Sequence, residues 1–158
     1  MVIVVRNQIA ITCLTLLLAT SCGKPASHID LVVQQNLANR MSVPVQYGEM
    51  NEQIVLDTGA TSSVLPLLDA LDLGLQGLGE WIGETDTTIA GDSQEDVFLF
   101  LVYEMKVGPC ILRNTPVMVF YTKTLNQTRL LGMPELARLD AVIMAKERRV
   151  VARNCHNE

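Results

Sequence analysis

Histidine is nearly missing from this chain of 158 residues: the two that occur, His28 and His156, stand near its opposite ends. Zinc chemistry and nucleophilic catalysis built on imidazole are left with almost nothing to stand on. Cysteine is scarce as well, and Cys13, Cys22, Cys110 and Cys155 form no Cys-x-x-Cys pair. Positive charge runs short: 12 Lys and Arg against 17 Asp and Glu leave a net charge of −5, whereas a nucleic-acid surface needs a basic face. Lys146, Arg148, Arg149 and Arg153 do not supply one, since they alternate with apolar residues as on the exposed face of a strand. No internal repeat or low-complexity stretch is visible. The apolar run Ile9 to Ala19 is too short to span a bilayer comfortably and has the length of a signal-peptide core.

At the end of that core, Leu18-Ala19-Thr20-Ser21-Cys22-Gly23 resembles a bacterial lipoprotein processing site, in which the Cys becomes the lipidated N-terminus. The resemblance implies a signal peptide over residues 1–21, lipidation of Cys22 and a tether over 22–39, with an uncleaved N-terminal anchor or an ordinary signal peptide as the alternative. The domain would then lie in the bacterial periplasm or cell envelope, held to a membrane by its lipid. In such an oxidising compartment Cys110 and Cys155 are candidates for a disulfide, with two unpaired thiols as the alternative.

With 49% hydrophobic residues, the chain can bury one real core but not two. We place the domain at residues 40–153, followed by a tail over 154–158. Met41 to Tyr47 alternates as a strand, Gly48 to Asn51 makes a turn, and Gln53 to Leu56 returns as the second strand of a hairpin. Leu65 to Leu73 has helical spacing, with Pro66 in a first-turn position and Gly74 placed to end the helix. Asp69 and Asp72, three apart on it, read as its solvated face and not as a metal pair. Thr85 to Ser93 reads as a hairpin with its tip near Ala90-Gly91-Asp92. Further β-rich runs are Val97 to Val107, Ile111 to Arg113, Pro116 to Tyr121 and Ala141 to Ala152, with a short helix from Pro134 to Leu139. Many short strands and one or two small helices predict an all-β, barrel-like domain.

One stretch carries chemistry. In Ile54-Val55-Leu56-Asp57-Thr58-Gly59-Ala60 an apolar strand delivers a carboxylate onto a turn. A charge at the mouth of a buried strand must be paired, hydrogen-bonded or protonated, which marks Asp57 as a functional candidate. Asp-Thr-Gly is also ordinary turn chemistry. Its flanks decide between the two: about 75 residues on, Leu130-Leu131-Gly132 precedes the short helix. This order resembles the retropepsin-like aspartic proteases, over roughly residues 40 to 153.

The resemblance implies an acid-protease barrel that is an obligate homodimer for activity and hydrolyses polypeptides without metal or cofactor. Peptide hydrolysis by carboxyl groups needs a base to activate water and an acid to protonate the carbonyl oxygen, so two carboxylates must share a proton. One copy supplies one, Asp57, and the other must be Asp57 of a second copy across a twofold axis. By the same resemblance Thr58 clamps the dyad across the axis, and Gly59 offers its N–H to the carboxylates. Ile89, Ala90 and Gly91 form the flap, while Leu130, Leu131 and Gly132 support the catalytic turn. Ala60 stands where relatives with Ser can add a hydrogen bond that lowers the carboxylate pKa, so activity is expected at mildly acidic to neutral pH. Met133-Pro134 replaces an Arg and a polar residue that brace the retroviral dimer, so the dimer contacts must differ. Two other readings fit less of this pattern: a catalytically silent peptide-binding or scaffolding lipoprotein of the same fold, and a small β-barrel lipoprotein with an accidental Asp-Thr-Gly.

Overall fold

A computed structural model of the chain describes residues 29–35, 40–89, 93–121 and 128–155. In chain order the strands are β1 (Ile29–Leu31), β2 (Gln34–Gln35), β3 (Met41–Tyr47), β4 (Met50–Leu56) and β5 (Ser63–Pro66), followed by helix α1 (Leu67–Leu75). Then come β6 (Gly79–Ile89), β7 (Ser93–Val107), β8 (Cys110–Phe120), β9 (Leu130–Leu131), helix α2 (Met133–Arg138), β10 (Ala141–Met144) and β11 (Arg149–Ala152). The expected all-β architecture with two short helices is what the chain adopts. Eight strands pair in the order β2-β3-β4-β9-β5-β8-β7-β6, and an added β3–β7 pairing closes the six from β3 to β7 into a barrel. Closure pairs both edges of those six strands and leaves β2 and β6 at the ends of the ladder.

Alternation along the strands sorts their side chains between two faces. Val43, Val45, Ile54, Leu65, Val117, Val119 and Leu131 fill the barrel with Tyr47, Phe100 and Leu73. Val64, Val97 and Phe120, joined by Met118 and Leu130, form a second, smaller apolar cluster. Neighbours along one strand, such as Leu130 and Leu131, therefore serve opposite faces.

Several expectations are corrected. Leu65 and Pro66 belong to β5, which pairs in parallel with β8, so α1 starts after Pro66 and not at Leu65. Gly74 lies inside α1, and the left-handed position after the helix is taken by Gly77, at φ +69°. The runs Ile111 to Arg113 and Pro116 to Tyr121 are one strand, β8, opposite β7 in unbroken register. Ala141 to Ala152 is not one strand but a hairpin, β10 and β11, turned by a 3-10 segment at Ala145–Glu147 and by Arg148 at φ +53°. Lys146 and Arg148 thus sit on the turn, off any strand face.

The tether expected over residues 22–39 contributes structure of its own. Ile29–Leu31 adds β1 to the far side of β11, giving a three-stranded sheet β1-β11-β10. Arg149 holds it there, donating from Nε and Nη2 to the two Asp30 oxygens at 2.5 and 2.8 Å. That hydrogen bond lowers the Asp30 carboxyl below its ordinary value. Cys22 lies outside the described residues.

Candidate active site

Asp57 is the first residue beyond β4, and the threading of the chain fixes where it stands. β9 lies between β4 and β5, parallel to the first and antiparallel to the second. The segment from Asp57 to Ser62 must therefore cross over the end of β9, where Gly132 sits. An added Cβ on Gly132 would lie 2.6 Å from the Ser62 carbonyl carbon and oxygen, so the crossing has room only for glycine. Leu131 accepts the Asp57 N–H at 3.0 Å on one side of Gly132, and Met133 donates its N–H to the Ala60 carbonyl at 3.0 Å on the other. Leu131 thus meets the turn that bears Asp57 through its carbonyl, while Leu130 pairs with Val55 of β4 and Val64 of β5.

The carboxylate itself is half-buried. Gly59 N–H donates to Asp57 Oδ1 at 2.9 Å, and Ala60 N–H closes the turn onto the Asp57 carbonyl at 3.3 Å. A side chain on Gly59 would bring a Cβ within 3.3 Å of that same oxygen. Thr58 is exposed and borders a cavity of about 480 Å³ lined also by Met133, Leu136, Ala137, Asp140, Ala141 and Ile143. A somewhat larger groove, about 520 Å³, lies between α1 and β6 against Leu67, Leu71, Trp81, Phe98 and Tyr121, none of which belongs to the Asp-Thr-Gly or Leu-Leu-Gly motif. Ile89 ends β6, pairing with Ser93 of β7, while Ala90 and Gly91 lie outside the described residues.

Two polar groups near the turn escape a reading of the sequence. Ser63 Oγ donates to Glu135 Oε2 and accepts the Gly132 N–H at 2.9 Å. Both side chains are buried. A Glu at the third position of a helix is a familiar N-terminal signal, but nothing in the sequence pairs it with a serine 72 residues earlier. Asp69, expected on the solvated face of α1, is only 8% exposed. It accepts from Arg129 at 2.8 and 3.0 Å and from the Tyr47 hydroxyl at 3.4 Å. Burial, and after it the charge of Asp69, pushes the Tyr47 phenol well above its ordinary value. Asp72 does stay exposed and accepts from Gln76.

The sulfurs of Cys110 and Cys155 are 2.18 Å apart, a disulfide that ties the start of β8 to the residues behind β11. Among the described residues no group of three or more His, Cys, Asp or Glu gathers that could hold a metal ion. What the site offers chemically is the Asp57 carboxylate, oriented by the Gly59 N–H and open on the side of Thr58.

Residues 43–138 match the family described as "gag-polyprotein putative aspartyl protease". The structure is similar to the crystal structure of a retropepsin-like aspartic protease from Rickettsia conorii, with a TM-score of 0.59 and 17% sequence identity, covering 79% of this chain and 90% of that one. At that identity the likeness speaks for the fold. No curated protein matches the chain.

Proposed function

The chain belongs to the retropepsin-like aspartic proteases, and on that premise we propose that it is an endopeptidase whose catalytic pair is Asp57 of one copy and Asp57 of a second, across the axis of a homodimer. The observation that carries this reading is the way Asp57 is held. Its N–H is spent on Leu131 and its Oδ1 on Gly59, while the side of Thr58 stays open to a partner. The bond to Oδ1 is ordinary Asp turn chemistry; the half-buried carboxylate beside the exposed Thr58 is what a second copy would meet. Two such groups brought within a few ångströms cannot both ionise, so they share one proton and titrate as a pair. The ionised member takes a proton from water as the water oxygen attacks the peptide carbonyl, and the protonated member gives its proton to the carbonyl oxygen; the first then passes its proton to the amide nitrogen as the C–N bond breaks, and the second takes one back from the gem-diol, restoring the shared proton.

In this reading Thr58 clamps the pair across the axis, and the β6–β7 hairpin around Ile89, Ala90 and Gly91 closes over the substrate and excludes water. Ala60 has no hydroxyl to offer the carboxylate, which favours activity at mildly acidic to neutral pH. We also place the enzyme outside the cytoplasm, exported by residues 1–21 and anchored through Cys22; the Cys110–Cys155 disulfide supports an oxidising compartment.

The test compares the wild type with Asp57→Asn on a peptide library at several pH values, with and without a statine-type inhibitor. Cleavage by the wild type alone, blocked by the inhibitor, is expected. Equal cleavage by both proteins would overturn the assignment.

A further inference from the structure

Beneath the Asp57 turn lie two polar side chains that the proposed chemistry does not use. Ser63 is 3% exposed and Glu135 1%. Burying a carboxylate is costly, and a buried polar group needs a reason as well as a partner. The direction of the bonds supplies one. The Gly132 amide can only donate, so Ser63 Oγ must accept from it, and the single hydroxyl proton is left for Glu135 Oε2. Glu135 therefore decides which way the Ser63 hydroxyl points.

The three residues belong to three segments that meet around the turn. Ser63 opens β5 just after the crossing, Gly132 comes directly after β9, and Glu135 lies in the first turn of α2. Gly132 is flanked by the two residues whose backbones hold the turn: Leu131, bonded to Asp57, and Met133, bonded to Ala60, each at 3.0 Å. A shift of Gly132 would carry both bonds with it.

We infer that Glu135 and Ser63 are positioning residues for Asp57, locking Gly132 so that the Leu131 carbonyl fixes the height at which the carboxylate is presented to its partner. This rests on the proposed dyad. Neither side chain touches substrate; both act through the backbone of the turn.

Two measurements test it on the full-length protein. In the first, kcat and KM are compared for Ser63→Ala, Glu135→Met, Ser63→Thr and Glu135→Gln, using a peptide the wild type cleaves and dimer concentrations matched by sedimentation. Losing the hydroxyl or the acceptor is expected to lower kcat about tenfold with KM unchanged, as a small misplacement of a reacting group does. Ser63→Thr, which keeps the hydroxyl, and Glu135→Gln, which keeps an acceptor, are expected to recover most of the loss. In the second, amide hydrogen exchange needs no turnover: in Ser63→Ala the Asp57 and Gly132 amides are expected to exchange about tenfold faster while those of β7 and β8 do not change. Should Ser63→Ala not fold, Glu135→Met, which loses the acceptor, serves in its place, with exchange at the same two amides raised about threefold. Unchanged kcat, or faster exchange spread evenly over the barrel, would reduce the pair to a structural role. A wild type that cleaves nothing would defeat the dyad, while the exchange result would still decide the positioning.

Discussion

Arg129 grips Asp69 of α1: from the residue before β9, its Nε and Nη2 donate to the two carboxylate oxygens at 2.8 and 3.0 Å. The pair staples α1 to the start of β9, the strand beside the Asp57 turn. Its side chains are 29% and 10% exposed, so Asp69 is the group that suffers when its partner is lost. We expect Arg129→Met to lower stability by about 2–3 kcal/mol, and Arg129→Met with Asp69→Asn to cost less than the sum of the two. Urea denaturation of the three variants measures both.

Tyr47 donates to the same Asp69, and its raised pKa sets a pH dependence. A phenol whose folded pKa lies above its unfolded value of 10.0 contributes stability that is fully present below that pH and is lost as the pH climbs toward the folded value. Wild-type melting temperature is therefore expected to fall more steeply above about pH 10 than that of Tyr47→Phe. Parallel melting curves across that range would contradict it.

Gly132→Ala places a methyl 2.6 Å from the Ser62 backbone, where no flexible side chain can yield. Overpacking of this kind costs about 1–3 kcal/mol. Because the strain falls on the crossing itself, we expect peptide cleavage to be lost even where denaturation shows the barrel still folded.

The disulfide joins residues 45 apart in sequence. Closing a loop of that length restricts the unfolded chain by about 4 kcal/mol in the chain-entropy account. Reducing the bond, or making Cys110→Ser with Cys155→Ser, is expected to shift the denaturation midpoint down accordingly. A midpoint insensitive to reductant would contradict it.

How far the sequence can be read depends on where its signals lie. The apolar approach to Asp57, the Thr-Gly turn and Leu130-Leu131-Gly132 are local patterns, and they suffice to place the turn and its support. The Gly-tipped hairpin is legible too, though β6 begins at Gly79 and not at Thr85, because the early half of that strand alternates only weakly. Other features are not local. Asp69 looks solvated until Arg129, 60 residues on, folds beside it, and β1 is three residues with no period, visible only through β11. Glu135 and Ser63 become partners only because the chain passes over β9.

One titration tests the central claim most directly. With wild-type protein held at fixed concentration, increasing amounts of Asp57→Asn chain are added and the initial rate of peptide cleavage is recorded after subunit exchange. If catalysis needs one Asp57 from each copy, mixed dimers are dead, and the rate falls toward zero as the inactive chain captures the active one. A rate that stays constant, or that rises with the added chain, would show that one copy works alone.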